Sequence, residues 1–342
     1  MKLFHKFFAT VLLIGVLAGC SQSNAGSDSN STSGGSASKD TIKMRSADVV
    51  DQNSPYTIGM MQLAEDVSNA TDGKITIEHF HSGQLGSDAE IFDSVKQGSI
   101  DIALQGAIPG SEVAGAFYIP YLFEDADHLK AVIQGEPAEK IKALIEAETG
   151  VKVIGFVPFA TRMLTTKGVE VNTPEDLKGL KIRVPETPAV VTGWKDLGAN
   201  PTPISFGELF TSLQTGVVDG QENPYEIIYN NSFYEVQDTI NKTYHNFPVR
   251  TLIMNKKRYD SLSADEKSLL EEKWAEVSEE IDKLYSEQEA EYITKLEEAG
   301  MKFVDSDIES FKKASEETTA KLATEIFGAE LYEEMKALGN SK

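Results

Sequence analysis

The chain has 342 residues, 40% of them hydrophobic, and a formal net charge of −22 at pH 7. That length and apolar content support a large core and two domains rather than one. So acidic a surface argues against nucleic acid and anionic lipid as partners, and an anionic ligand would need a locally positive pocket.

Lys2 and Lys6 precede an apolar run, Ala9 to Ala18, and Leu17-Ala18-Gly19 leads into Cys20. Residues 1–19 therefore read as a signal peptide with a bacterial lipoprotein cleavage site. The run is shorter than the ~20 apolar residues a membrane span needs. Cleavage removes Lys2 and Lys6 and takes the charge from −22 to −24. Cys20 is the only cysteine, so the folded body has no intramolecular disulfide and no thiolate metal cluster. Its expected role is to carry acyl chains, and two or more such chains hold a protein stably on a membrane. Residues 21–39 are almost entirely Ser, Gly, Asn, Ala and Asp, a flexible tether with a reach of roughly 25 Å. The body is expected at the outer face of the cytoplasmic membrane, attached by lipid alone.

From residue 41 strand and helix patterns alternate. Ile42–Ala47 reads as a strand. Ser54 caps a helix with Pro55 at its first position, an apolar stripe of Met60, Leu63, Ala64 and Val67, and a stop at Gly73. Lys74–Phe80 is a strand, Ser87 and Glu90 form a capping box for a helix ending near Gly98, and Ile100–Leu104 is a third strand. This order predicts a parallel sheet covered on both faces. Helices over Ala126–Gln134 and Ala138–Ala147 follow, then a strand at Val151–Val157. A second α/β set has strands at Met163–Lys167 and Lys181–Val184. A short helix opens at Thr173 and Pro174. Another, with Ser205 and Glu208 as its capping box, ends at Gly216, and Val217–Gln221 is the last strand. Ser263 and Glu266 start a helix without Gly or Pro until Gly300, ~54 Å long at 1.5 Å per residue. It is read as lying across both lobes. Trp194 and Trp274 fall on apolar helix faces and are read as core.

Five basic residues are Arg (Arg45, Arg162, Arg183, Arg250, Arg258) and the other 27 are Lys. Arginine this scarce points to places that need a planar fork. In Lys181-Ile182-Arg183-Val184 alternation puts Arg183 opposite Ile182 and Val184, and Pro185 ends the strand. Arg183 thus sits at the carboxyl end of a parallel strand, where open α/β sheets bind ligands. Its fork matches a carboxylate, supplied either by a ligand or by one of the 54 acidic residues. Arg45 is read as ending the first strand and lining the cleft.

The run from Arg162 to Pro224 resembles the solute-binding subunit of TRAP transporters, the DctP-type family first linked to four-carbon dicarboxylates. The matching pieces are Arg162-Met163, Thr173-Pro174-Glu175-Asp176-Leu177-Lys178-Gly179, Lys181-Ile182-Arg183-Val184-Pro185, Leu197-Gly198-Ala199-Asn200-Pro201 and Thr215 to Pro224. Gln84-Leu85-Gly86 and Pro120-Tyr121-Leu122-Phe123 match earlier in the chain, and the resemblance extends over residues 41 to about 335. It implies an α/β, two-lobed periplasmic-binding-protein-like fold with a ligand cleft between the lobes. Lobe 1 is expected over 40–160 plus about 249–285, and lobe 2 over 161–248 plus about 286–335. The resemblance implies that Arg183 pairs with a ligand carboxylate, that Arg162 offers a second cation, that Asn223 supplies an amide and that Phe206 packs on the ligand. Asp88 is expected to contact polar ligand groups or to compensate the helix dipole. Members that bind sialic acids carry charged anchors just after the third strand. Here that stretch is Gln105-Gly106-Ala107-Ile108-Pro109, which argues against a sialic acid. Gln105 could bond a hydroxyl or a second carboxylate. Glu186 could accept from ligand hydroxyls or restrain Arg183.

No phosphate loop, G-x-S-x-G or H-E-x-x-H motif points to catalysis. His79 and His81 share one strand face but have no acidic or thiolate ligand at a motif spacing, so neither metal nor cofactor is expected. The function implied is capture of a small organic acid, a dicarboxylate or a sugar acid such as a uronate, by a monomer that delivers it to a TRAP permease. The alternative is a sensing partner for a membrane receptor or kinase.

Overall fold

The computed structural model describes residues 41–339. The expected signal peptide, Cys20 and the tether lie outside the described residues. No helix among the described residues is long and apolar enough to cross a membrane.

The chain begins with β1 (Ile42–Ala47), α1 (Pro55–Ala70), β2 (Ile75–Phe80), α2 (Asp88–Gln97) and β3 (Ile102–Gln105). Next come α3 (Glu112–Ala116), α4 (Ala126–Gln134), α5 (Glu136–Thr149), β4 (Lys152–Pro158) and β5 (Arg162–Thr166). They are followed by β6 (Lys181–Val184), α6 (Pro188–Asp196), β7 (Asn200–Pro203), α7 (Leu209–Gln214), β8 (Gly220–Asn223), α8 (Tyr225–Asn230) and β9 (Thr239–Asn246). The last elements are β10 (Val249–Met254), α9 (Lys256–Ser261), α10 (Ala264–Glu298), β11 (Lys302–Asp305), α11 (Ile308–Phe327) and α12 (Ala329–Gly339).

Two sheets result, ordered β2-β1-β3-β10-β4 and β11-β9-β5-β8-β6-β7. In the first, β1 pairs in parallel with β2 and β3 as the sequence pattern predicts. The sheet is nevertheless mixed, because β10 enters antiparallel between β3 and β4. The cause is how the chain crosses between sheets. β4 runs on into β5, and β9 runs back into β10 beside them, so β10 arrives against its neighbours. Val249 faces Pro158 on one side of the crossing and Arg162 faces Asn246 on the other. Between them the Phe159 N–H donates to the Pro248 carbonyl at 2.8 Å. Two adjacent strands thus connect the lobes.

Local chemistry sets the ends that matter for the site. Ser87 and Glu90 form the full capping box, which puts Asp88 in the first turn of α2. Around α7 the expected box is incomplete. The Ser205 hydroxyl donates to Glu208 at 2.8 Å without accepting a backbone N–H, and the turn Phe206–Glu208 is 3-10. The strand expected at 217–221 starts later, at Gly220, because the Val217 and Val218 amides still bond to the Ser212 carbonyl, at 3.0 and 3.4 Å. That shift brings Glu222 and Asn223 into β8, at its carboxyl end.

The long helix α10 starts at the Ser263–Glu266 capping box and buries Leu270, Trp274, Val277, Ile281, Tyr285, Tyr292 and Leu296. Its first half packs on α1 and β4 and its second half on α8, so it spans both lobes. Two glycines allow the close approach of the first half. A Cβ on Gly59 would lie 2.3 Å from Ile281 Cγ1, and one on Gly155 would lie 2.5 Å from Trp274 Nε1. Helix α12 packs on α4 and α5, where His128 Nε2 lies 2.8 Å from the Met335 carbonyl.

Candidate functional site

A cleft of about 470 Å³, counting its mouth, opens where the two sheets meet. Asp88, Tyr118 and Arg250 line it from the first lobe, and Arg162, Arg183, Phe206 and Asn223 from the second. Three guanidinium groups, each at most 4% exposed, therefore face one space. Their partners differ, and the difference decides what the site can do.

Arg162, at the start of β5, is fully engaged. Its Nε contacts Glu222 Oε2, and its Nη2 donates to Glu222 Oε1 at 3.0 Å and to the Glu222 carbonyl at 2.6 Å. Glu222 is also 3.2 Å from His245 Nε2, and His245 Nδ1 lies 2.8 Å from the Thr243 hydroxyl. Burial alone would raise the Glu222 carboxyl, but Arg162 and His245 outweigh it and hold the group at about 2. Burial pushes His245 below its usual value, so the imidazole is neutral. The second cation expected for a ligand is thus neutralised within the protein.

Arg183 is the opposite case. It lies on the face expected from strand alternation, and its Nε donates to the Ile204 carbonyl at 2.8 Å. Among the described residues it makes no ion pair. Burial, with Arg162 beside it, lowers the guanidinium to about 10, so it stays charged at neutral pH. A buried charge without a counter-charge is expensive unless a partner arrives.

Asn223 sits close by on β8, 3% exposed, with one N–H donated to Gln221 Oε1 at 2.5 Å. Phe206 packs edge-on to Phe233, with centroids 6.2 Å apart, and presents its ring to the cleft. Asp88 faces the cleft from the first lobe, and burial pushes its carboxyl up to about 6 against the pull of Arg250 and Arg183. Glu186 is exposed and lines the outer mouth beside Arg183.

Two expected residues are elsewhere. Strand β1 continues to Ala47, so Arg45 is not at its end. The side chain lies exposed over the Phe80 ring, 4.9 Å from its centroid, and reaches the Ser99 carbonyl. Gln105 is fully buried behind the cleft wall and donates to the Asp88 carbonyl at 2.7 Å. It supports the wall and does not line it. Arg258 forms a structural pair with Asp101 at 2.7 Å. His79 is held by Ser46 at 2.9 Å and Asp48 at 3.2 Å. No group of three or more His, Cys, Asp or Glu among the described residues could hold a metal ion. Trp194 and Trp274 are core, as read from their helix faces.

Arg250 is the residue that sequence reasoning missed. Ligand contacts are expected at the carboxyl ends of parallel strands, whereas β10 is antiparallel and offers its amino end to the cleft. The scarcity of arginine was the available signal.

The model of bacterial extracellular solute-binding proteins, family 7, matches residues 46–325. The chain belongs to this family. A solute-binding protein of Roseobacter denitrificans is 32% identical over 281 residues, 81% of this chain and 86% of its own length. A TRAP periplasmic solute-binding protein of that organism, solved with L-galactonate, superposes with a TM-score of 0.79 at 30% identity, covering 87% of this chain and 98% of that one. One from Anaerococcus prevotii, with D-glucuronate, gives 0.82 at 26% identity over 88% and 99% of the two chains. One from Sulfurospirillum deleyianum, with succinate, gives 0.80 at 25% identity over 87% and 99%. The chain is therefore an extracytoplasmic solute-binding protein with the two-lobed fold, of a family of binding proteins for transport.

Proposed function

We propose that this protein captures a small organic acid by its carboxylate on Arg183 and delivers it to the membrane permease of a TRAP-type transporter. The observation that carries the reading is a buried, charged guanidinium that faces the cleft without a carboxylate partner. Its two Nη groups can make parallel charge-assisted bonds to a ligand carboxylate. Asn223 supplies an amide and Phe206 an apolar wall. In the open state water solvates the cleft. When the first lobe swings over on the two crossing strands, water leaves and the ion pair strengthens. The ligand favours the closed form because only that form encloses it. A Cys20 lipid anchor and the tether beyond it keep the monomeric body near the permease. Relatives hold both sugar acids and a dicarboxylate, which supports a small organic acid here. The sensing alternative has no observation of its own behind it.

A thermal-shift panel of organic acids, sugar acids and neutral sugars tests the reading. A ligand at 100 times its Kd adds ~2.7 kcal/mol to stability. Carboxylates are expected to raise the unfolding temperature and neutral sugars to leave it unchanged. A panel in which no acid shifts it, or in which neutral sugars do equally well, removes the carboxylate clamp. Detergent phase partition of the protein from its host tests the anchor. Wild type is expected in the detergent phase and Cys20→Ala in the aqueous phase.

A further inference from the structure

The first-lobe wall carries a second buried arginine. Arg250 is 3% exposed and lines the cleft opposite the Arg183 wall. Its Nη2 donates to the Leu104 carbonyl at 2.6 Å, and its Nε is buried with no hydrogen-bond partner. The rings of Tyr56 and Phe159 flank it, each 5.4 Å from its central carbon. Among the described residues it makes no ion pair. Next to it in the same wall is Asp88, whose backbone carbonyl is held by the Gln105 amide at 2.7 Å. The last two residues of β3 therefore fix a donor and an acceptor side by side: Leu104 seats Arg250, and Gln105 seats Asp88.

We infer that Arg250 and Asp88 are the first lobe's ligand-reading pair and that they recognise a hydroxyl group of the ligand, across the cleft from the Arg183 wall. This rests on Arg183 holding the carboxylate. A hydroxyl can accept from Arg250 and donate to Asp88 at once. A second carboxylate can use only Arg250 and meets the like charge of Asp88. The groups facing Asp88 are Arg250, Arg183, Asp48, Glu186 and Tyr118. With the Asp88 carboxyl at about 6, most of it is ionised at neutral pH and serves as an acceptor. The site is thus selective for polyhydroxy monocarboxylates over dicarboxylates.

Calorimetry at pH 7.5 with D-glucuronate, L-galactonate and succinate tests this on the wild type, Arg183→Ala, Asp88→Asn and Arg250→Gln. The unfolding temperature of each ligand-free protein is recorded alongside. Wild type is expected to bind the better of the two sugar acids at least tenfold more tightly than succinate. Asp88→Asn should weaken the sugar acid at least tenfold and leave succinate as tight or tighter. Arg250→Gln should weaken the sugar acid by a similar factor. A wild type that prefers succinate, or an unchanged sugar-acid-to-succinate ratio in Asp88→Asn, overturns the inference. If Arg250→Gln does not fold, that ratio in Asp88→Asn decides alone. Loss of all three acids in Arg183→Ala leaves the carboxylate reading standing, while full affinity there removes that reading and the inference with it. A wild type that takes none of the three acids overturns both.

Discussion

Arg162 and Arg183 are both buried arginines of the second lobe, lining one cleft, yet they belong to different balance sheets. Arg162 is closed off by Glu222, which His245 supports in turn. Arg183 bonds a backbone carbonyl and makes no ion pair among the described residues, with Glu222, Asp88 and Glu186 acting on it only through space. The first is an internal ion pair, and the second guanidinium has no carboxylate within hydrogen-bonding contact among the described residues. Position in a cleft does not make an arginine a binding residue. Under the proposed function, the guanidinium without an ion pair of its own is the one that meets a ligand carboxylate.

Substitutions at the two arginines test that contrast directly. Arg183→Ala should cost ~3–5 kcal/mol of ligand affinity, the worth of two charge-assisted bonds, or several hundred-fold and more in Kd. The ligand-free protein should be no less stable, because an unpaired buried charge has gone. Calorimetry and thermal unfolding read the two effects. Arg183→Lys should also fail, since a point charge does not replace the fork. Arg162→Met should do the reverse. It strands the buried Glu222 and destabilises the ligand-free protein by ~3–5 kcal/mol, measured by urea unfolding. If Arg183→Ala destabilises as much as Arg162→Met, the contrast is wrong.

The pH dependence of stability comes next in size. Glu222 is held at about 2, below its ordinary value. Its contribution, on the order of 3 kcal/mol, is present above the unfolded carboxyl range and is lost as pH falls toward 2. Asp88 at about 6 and Glu226 at about 7 have the opposite sign, both raised first by burial. Each takes up a proton more readily when folded, so stability rises as pH falls from above 7 toward the ordinary carboxyl range. His245, which burial pushes below its ordinary value, opposes them, because its stabilising contribution is lost as pH falls below the imidazole range. Glu226→Gln should flatten the neutral limb and leave the acid limb intact, which denaturant midpoints across pH would reveal. The smallest effect is expected from Asn223→Ala. A hydrogen bond from its amide to a ligand carboxylate contributes ~1.5–3 kcal/mol to binding, seen as a roughly ten- to hundredfold rise in Kd.

The second-lobe wall was largely legible in the sequence. Alternation and Pro185 put Arg183 on the right face at the right strand end, and local capping chemistry found the starts of α1, α2 and α10. What escaped detection depends on contacts distant in sequence. No local signal says that Arg162 will meet Glu222, sixty residues on. The late start of β8 follows from a turn that continues two residues past Gly216. Gln105 was misread because β3 runs one residue beyond its expected end, and in a pleated strand one residue changes the face. Arg45 was misread because β1 ends where expected, at Ala47, two residues past it. Arg250 escaped because β10 reverses direction, a property of how the chain crosses between sheets.

Gly59 and Gly155 give the long helix a mechanical allegiance. By letting Ile281 and Trp274 settle almost onto backbone, they rivet the front half of α10 to the first lobe. The rear half meets the second lobe through lighter contacts such as Asn230 to the Tyr292 hydroxyl at 3.4 Å. Any rocking of the lobes should accordingly flex the rod behind Tyr285, and a spin-label pair bridging α8 and the rear of α10 should change its separation while a pair bridging α1 and the front does not.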